Sequence, residues 1–141
     1  MRIRVFNVVI IILLSFLFPV ICTGQKVLKA GASKFNVTPP EKLLRDRVVH
    51  DSLYAKSIVL DNGIKKIVFT VVDIQSIPQY ICEEAKHEIS KVTGIPIESI
   101  VISATHTHSG EKASNPPIKP QNGKYTAYQK ILIHGIVESV I

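Results

Sequence analysis

Six consecutive β-branched or aromatic residues, Ile67-Val68-Phe69-Thr70-Val71-Val72, are followed by a helical stripe and then by a second apolar run. A run of this composition fits a pleated strand, and its lack of alternation predicts a strand covered on both faces. Beyond Pro78, placed for a first helical turn, Ile81, Ala85, Ile89 and Val92 recur at helical spacing, while Glu83, Glu84, Lys86 and Lys91 fall on other faces. Gly94 supplies a stop and Pro96 prevents the helix from resuming. Ser99 to Ala104 then reads as a short buried strand. Strand, helix and strand in this order predict a parallel pair joined by a right-handed crossover.

The segments on either side extend that unit. Leu53 to Leu60 has strand character and leads into Asp61-Asn62-Gly63, whose Asn-Gly pair tolerates the positive φ of a tight turn. This predicts a β-hairpin whose second strand is the apolar run. Val27 to Phe35 reads as an earlier strand, stopped by Pro39-Pro40, which cannot donate to a ladder. The polar stretch from Glu41 to Asp51 reads as loop, as does the proline-bearing stretch from Thr105 past Pro116, Pro117 and Pro120. A last helix is expected from about Tyr125 to Ile141, with Tyr128, Leu132, Gly135-Ile136 and Val140 on one face and no stop signal. The class is α/β: a β-hairpin plus a right-handed βαβ unit in a mixed sheet with flanking helices.

At 141 residues there is room for one domain. The first 24 residues read as a signal peptide. Arg2 and Arg4 form a positive start, Val8 to Phe18 is apolar except for Ser15, and Cys22-Thr23-Gly24 offers small residues before a cleavage at Gln25. The run is shorter than the roughly 20 residues that usually span a bilayer. An uncleaved anchor is a second reading, and a lipoprotein acylated at Cys22 a third, although bulky Ile21 precedes that cysteine. Either way residues 25–141 are exported, to the periplasm or the outside. Only Cys82 then remains, on a helix among apolar neighbours, so no disulfide framework forms and the thiol reads as a small buried hydrophobe. The formal charge of +6 is scattered and interleaved with acids, and no basic stripe carries stacking aromatics, which argues against a nucleic-acid partner.

One stretch carries chemistry: Ser103-Ala104-Thr105-His106-Thr107-His108-Ser109-Gly110. It begins where a parallel strand finishes, the edge at which open α/β sheets bind ligands. In extended backbone residues i and i+2 point the same way, so His106 and His108 are expected to converge on one point. Neutral imidazole is a preferred zinc ligand, its second nitrogen oriented by a neighbour, and Thr105, Thr107 and Ser109 offer hydroxyls for that task or for substrate. The alternative is a pair of ordinary surface histidines. Zinc needs three or four ligands. His87 and His134 lie within helices and are expected to face solvent; His50, with Asp51, could reach the site. Asp73 ends the neighbouring strand and reads as either a carboxylate behind the ligands or a turn or capping residue.

The stretch resembles the signature of the neutral/alkaline, non-lysosomal ceramidases, in which an I-S-A-T-H-T-H-S-G string follows a strand. Ala30-Gly31-Ala32-Ser33-Lys34-Phe35-Asn36-Val37-Thr38-Pro39-Pro40 resembles the opening strand of that family, with Asn36 where aspartate is usual. His50-Asp51-Ser52-Leu53-Tyr54-Ala55-Lys56, the Asp-Asn-Gly turn, Val71-Val72-Asp73 and Thr93-Gly94-Ile95-Pro96 follow in the family order. The resemblance implies a zinc-dependent hydrolase that cleaves ceramide to sphingosine and a fatty acid, and a substrate met at a membrane surface. It implies that residues 25–141 are an incomplete portion of a larger α/β catalytic domain. By the same resemblance His106 is a ligand of a single zinc, His108 holds the substrate or its oxyanion, and the remaining ligands (a histidine, a glutamate and a tyrosine) lie further along than this chain extends. Glu111-Lys112-Ala113 departs from the usual Pro-Gly-Gly, which allows a related lipid amide as substrate in place of ceramide. Two other readings compete: a non-catalytic secreted module on the same scaffold, and a barrel amidohydrolase, which a preceding hairpin and βαβ unit disfavour.

Overall fold

A computed structural model describes residues 27–44, 48–113 and 124–141. The leader, Cys22 and the prolines at 116, 117 and 120 lie outside the described residues, and with them the expectations placed there. The elements are β1 (Lys29–Asn36), a single helical turn α1 (Glu41–Leu44), β2 (Tyr54–Asp61), β3 (Lys66–Val72), α2 (Gln79–Thr93), β4 (Ile100–Ala104) and α3 (Ala127–Glu138). The strands form one mixed sheet in the order β1-β2-β3-β4. The first two pairings are antiparallel and β3 runs parallel to β4, with Val68 opposite Ile100 and Val72 opposite Ala104. This is the α/β arrangement expected, with α1 a departure from the loop reading of residues 41–51.

The hairpin turn works as its residues dictate. Gly63 adopts φ 80°, and the Asn62 Oδ1 atom accepts from the Ile64 and Lys65 amides at 2.9 and 2.8 Å. Asp61 Oδ1 accepts from Gly63 N at 2.7 Å, so side chains take over hydrogen bonds that a ladder would otherwise make. Gly94 ends α2 in the left-handed region at φ 71°, its amide donating to Ser90 O. Pro78 stands one position earlier than expected, as the residue before the helix.

One core fills the space between the sheet and the helices. Ile81, Ala85 and Ile89 of α2, Leu132 and Ile136 of α3, and Val68, Val72 and Ile100 of the sheet are all fully buried in one cluster. Val92, expected on the α2 stripe, is exposed, and Ile95 beyond the glycine cap is buried instead. The left-handed turn brings the chain back over the core before another helical turn can form. α3 begins with a capping box, Thr126 Oγ1 accepting from Gln129 N while Gln129 Oε1 accepts from Thr126 N. It stops at Glu138, short of the expected Ile141, where the Ser139 hydroxyl donates to Ile136 O.

The expectation that β3 is covered on both faces is corrected. Val68, Thr70 and Val72 are buried, whereas Ile67 and Phe69 on the opposite face are 41% and 48% exposed. Ile58 of β2 and Val101 of β4 extend that bare face at 48% and 47%. The alternate residues facing the buried core lie under the two long helices, and no described residues cover the other face. Among the described residues no helix is long and apolar enough to cross a membrane.

Candidate functional site

The carboxyl ends of β3 and β4 lie side by side, and the backbone beyond them stays joined. Thr105 N donates to Val72 O at 2.9 Å, and His106 N donates to Ile74 O at 3.1 Å. Ile74, fully buried, anchors the segment that follows β3. The pairing therefore carries His106 two residues past the end of β4 and holds it against the chain that leaves β3.

His106 has φ 64°, the one non-glycine residue among those described with positive φ. That conformation is uncommon for a residue bearing a Cβ, and costs on the order of 1–3 kcal/mol where surrounding contacts enforce it. Here the enforcing contacts are visible: its amide is tied to Ile74 O and its Nδ1 lies 2.7 Å from Gln75 O. Because the strand ends at Ala104, His106 and His108 do not converge through the pleat as expected. They converge through this turn. Their ring centroids are 5.0 Å apart, with planes at 89°. Both side chains are exposed.

The orienting groups also differ from those anticipated. His106 Nδ1 is held by the carbonyl of Gln75, and His108 Nδ1 lies 3.4 Å from Gln75 Nε2. The hydroxyls of Thr105, Thr107 and Ser109 hydrogen-bond to neither ring; Thr107 Oγ1 accepts from Ser109 N at 3.4 Å. Sequence reasoning missed Gln75. The signal was available, because the strand-end rule that singles out the residues after β4 applies equally to those after β3.

Asp73 takes the second of the two roles considered for it. Its Oδ2 accepts from Tyr54 N at 3.0 Å and pairs with Lys56 Nζ at 2.8 Å, so the carboxylate binds the start of β2 and does not touch an imidazole. Asn36 accepts from Thr38 N at 2.8 Å through its side-chain oxygen, a task that needs only an oxygen there. His87 and His134 face solvent, the latter edge-on to Phe35 and 3.8 Å from Glu138. Cys82 is half-buried on α2, and burial raises its thiol pKa.

A cleft of about 540 Å³ opens beside the histidine turn. It is lined by His50, Asp51 and Leu53 together with Thr107, Gly110 and Glu111. His50 thus borders the same depression without joining the imidazole pair: no three His, Cys, Asp or Glu side chains are grouped to hold a metal among the described residues. The donor set nevertheless suits zinc at one point. With Nδ1 engaged by a carbonyl, His106 keeps Nε2 available in a fixed ring orientation, as histidine ligands require. The departure at Glu111-Lys112-Ala113 borders this cleft through Glu111, while the buried Ala113 fixes the loop by accepting from Gln129 Nε2 at 3.0 Å.

No family model matches the sequence. The fold is similar to that of the crystallised neutral ceramidase from Pseudomonas aeruginosa, with a TM-score of 0.62 at 20% identity over 80% of this chain and 21% of that one. A ceramidase complexed with C2 gives the same TM-score and identity over 79% of this chain and 20% of its own. The chain has a ceramidase-like scaffold and spans about a fifth of the length of those proteins.

Proposed function

We propose that this chain is the first part of the catalytic domain of an exported, zinc-dependent hydrolase acting on ceramide or a related lipid amide, and that it lacks activity alone. The observation that carries the reading is the fixed His106 ring, strained at φ 64° and bonded through Nδ1 so that Nε2 is left for a ligand. The ceramidase-like scaffold supports the substrate class. In this reading His106 holds the zinc and His108 holds the substrate carbonyl or the oxyanion formed from it. Zinc at such a site supplies Lewis acidity toward a carbonyl and a nucleophile from water at neutral pH. The cleft beside the turn, lined by Leu53, Thr107 and Gly110, receives the part of the lipid next to the amide. The basic start and apolar run of the leader support export in this reading, with peripheral contact at a membrane surface.

Zinc titration of the purified chain, followed by the imidazole nitrogen shifts, tests the assignment. Zinc is expected to perturb the His106 Nε2 signal with affinity weaker than micromolar, and His106→Ala to abolish the response. Zinc that leaves His106 unperturbed sinks the ligand assignment. Stoichiometric binding at micromolar affinity or tighter sinks the claim that the other ligands lie outside the chain. A ceramide-analogue assay with and without chelator is expected to show no turnover, and chelator-sensitive turnover would make the chain an enzyme in its own right.

A further inference from the structure

We propose that Gln75 is a positioning residue that gives the two imidazoles opposite tautomers, so that His106 offers a lone pair and His108 a proton, each from Nε2. Each polar atom of Gln75 has a fixed role in a hydrogen bond. A carbonyl oxygen only accepts, so the 2.7 Å contact between His106 Nδ1 and Gln75 O needs the proton on Nδ1. A neutral imidazole has one such proton, and Nε2 of His106 is left with its electron pair. A carboxamide nitrogen only donates, so the 3.4 Å contact between Gln75 Nε2 and His108 Nδ1 makes that ring nitrogen the acceptor. The proton of His108 is then on Nε2.

One residue acts on both rings from two chemically opposite groups of its own. The two contacts differ in strength. The shorter is made by main chain whose position is fixed by the buried Ile74 and by the His106 N–H bond to Ile74 O, so no side-chain substitution removes it. The longer is made by a side chain and is open to change. With the rings 5.0 Å apart and perpendicular, the pair presents an electron donor and a hydrogen-bond donor side by side. That combination suits an electrophile bound to an oxygen that gains negative charge, such as a metal-polarised carbonyl. What the two Nε2 atoms face rests on the function proposed above; the tautomers themselves do not.

The test is a long-range proton–nitrogen correlation spectrum of the metal-free, nitrogen-15-labelled chain at about pH 8.5, above the ordinary imidazole range. The expected wild-type pattern is a protonated Nδ1 at His106 and a protonated Nε2 at His108. In Gln75→Glu the new carboxylate only accepts, so the His108 proton is expected to move to Nδ1 while His106 is unchanged. Gln75→Leu is expected to leave His108 as a mixture and His106 again unchanged. A wild-type His108 protonated on Nδ1, a His106 protonated on Nε2, or a His108 pattern that Gln75→Glu does not alter overturns the proposal. The wild-type spectrum decides the tautomers even where a variant folds poorly. Because no metal is present, a failed zinc titration and a failed tautomer assignment are separate results.

Discussion

Gly135 of α3 lies directly against Val37, the residue that follows β1, so closely that a Cβ on Gly135 would overlap the Val37 Cγ1 atom and crowd Phe35 at 3.2 Å. Helix propensity alone favours alanine over glycine by about 1 kcal/mol. The overlap opposes it, and Val37 is fully buried with nowhere to withdraw. Gly135→Ala is therefore expected to destabilise by about 1–3 kcal/mol, as overpacking of a filled core does. A urea melt compared with wild type checks it, and a raised midpoint would contradict the close approach.

The end of α3 is joined to the sheet by a chain of hydroxyls whose direction can be deduced. Ser139 donates its proton to Ile136 O, so in its 2.6 Å contact with Ser57 it accepts. Ser57 spends its proton there and must accept from Thr70, 2.7 Å away. All three side chains are buried. Ser57→Ala leaves the Thr70 hydroxyl without its acceptor and is expected to cost about 1–3 kcal/mol. Ser139→Ala in addition should cost less than its value alone, because the link is already broken. Additive losses in the double variant would argue against a continuous chain.

Tyr128 offers the opposite case. Its hydroxyl is buried and has no hydrogen-bond partner among the described residues. Burial, with a smaller contribution from the charge of Glu111, raises the phenol pKa. The folded state therefore holds the phenolic proton more tightly than the unfolded chain. The group adds no pH dependence to stability below the unfolded value of about 10, and stability falls as pH rises beyond it. Tyr128→Phe is expected to stabilise by roughly 1 kcal/mol at neutral pH and to flatten that alkaline decline. The raised phenol of Tyr125, partly buried and donating to Glu84, keeps part of the decline in the variant. Melts at neutral and alkaline pH decide it: an unchanged alkaline slope would show that Tyr128 is not the group responsible.

Most of the fold was legible because its signals are local. The run from Ile67 to Val72, the Asn62-Gly63 pair and Gly94 each act through their own backbone preferences, and each does in the structure what it does in isolation. What was not legible depends on neighbours. The bare face at Phe69 and Val101 has the composition of a covered one, and composition does not say which atoms do the covering. The histidine pair was found by spacing, yet by the wrong geometry: the strand ends at Ala104, and the left-handed turn at His106 is imposed by carbonyls 31 and 32 positions away in sequence. Gln75 is within reach of the strand-end rule as a position, but which of its atoms meets which ring is set by the turn at His106 and not by the strand order.

Asp73 and Tyr54 exchange two hydrogen bonds, Asp73 N donating to Tyr54 O at 2.9 Å and Tyr54 N to the Asp73 carboxylate at 3.0 Å. Lys56 adds an ion pair, but its side chain is half exposed and such a pair contributes less than about 1 kcal/mol. Asp73→Asn keeps an oxygen for the Tyr54 amide and should lose only that small amount. Asp73→Ala removes the acceptor from a part-buried amide and should lose about 1–3 kcal/mol. Had the carboxylate oriented an imidazole, both variants would also shift the nitrogen signals of His106 and His108; with Gln75 in that role, neither should. Equal losses in the two variants would mean that charge and not the Tyr54 bond is what Asp73 contributes, and altered imidazole signals would return it to the site.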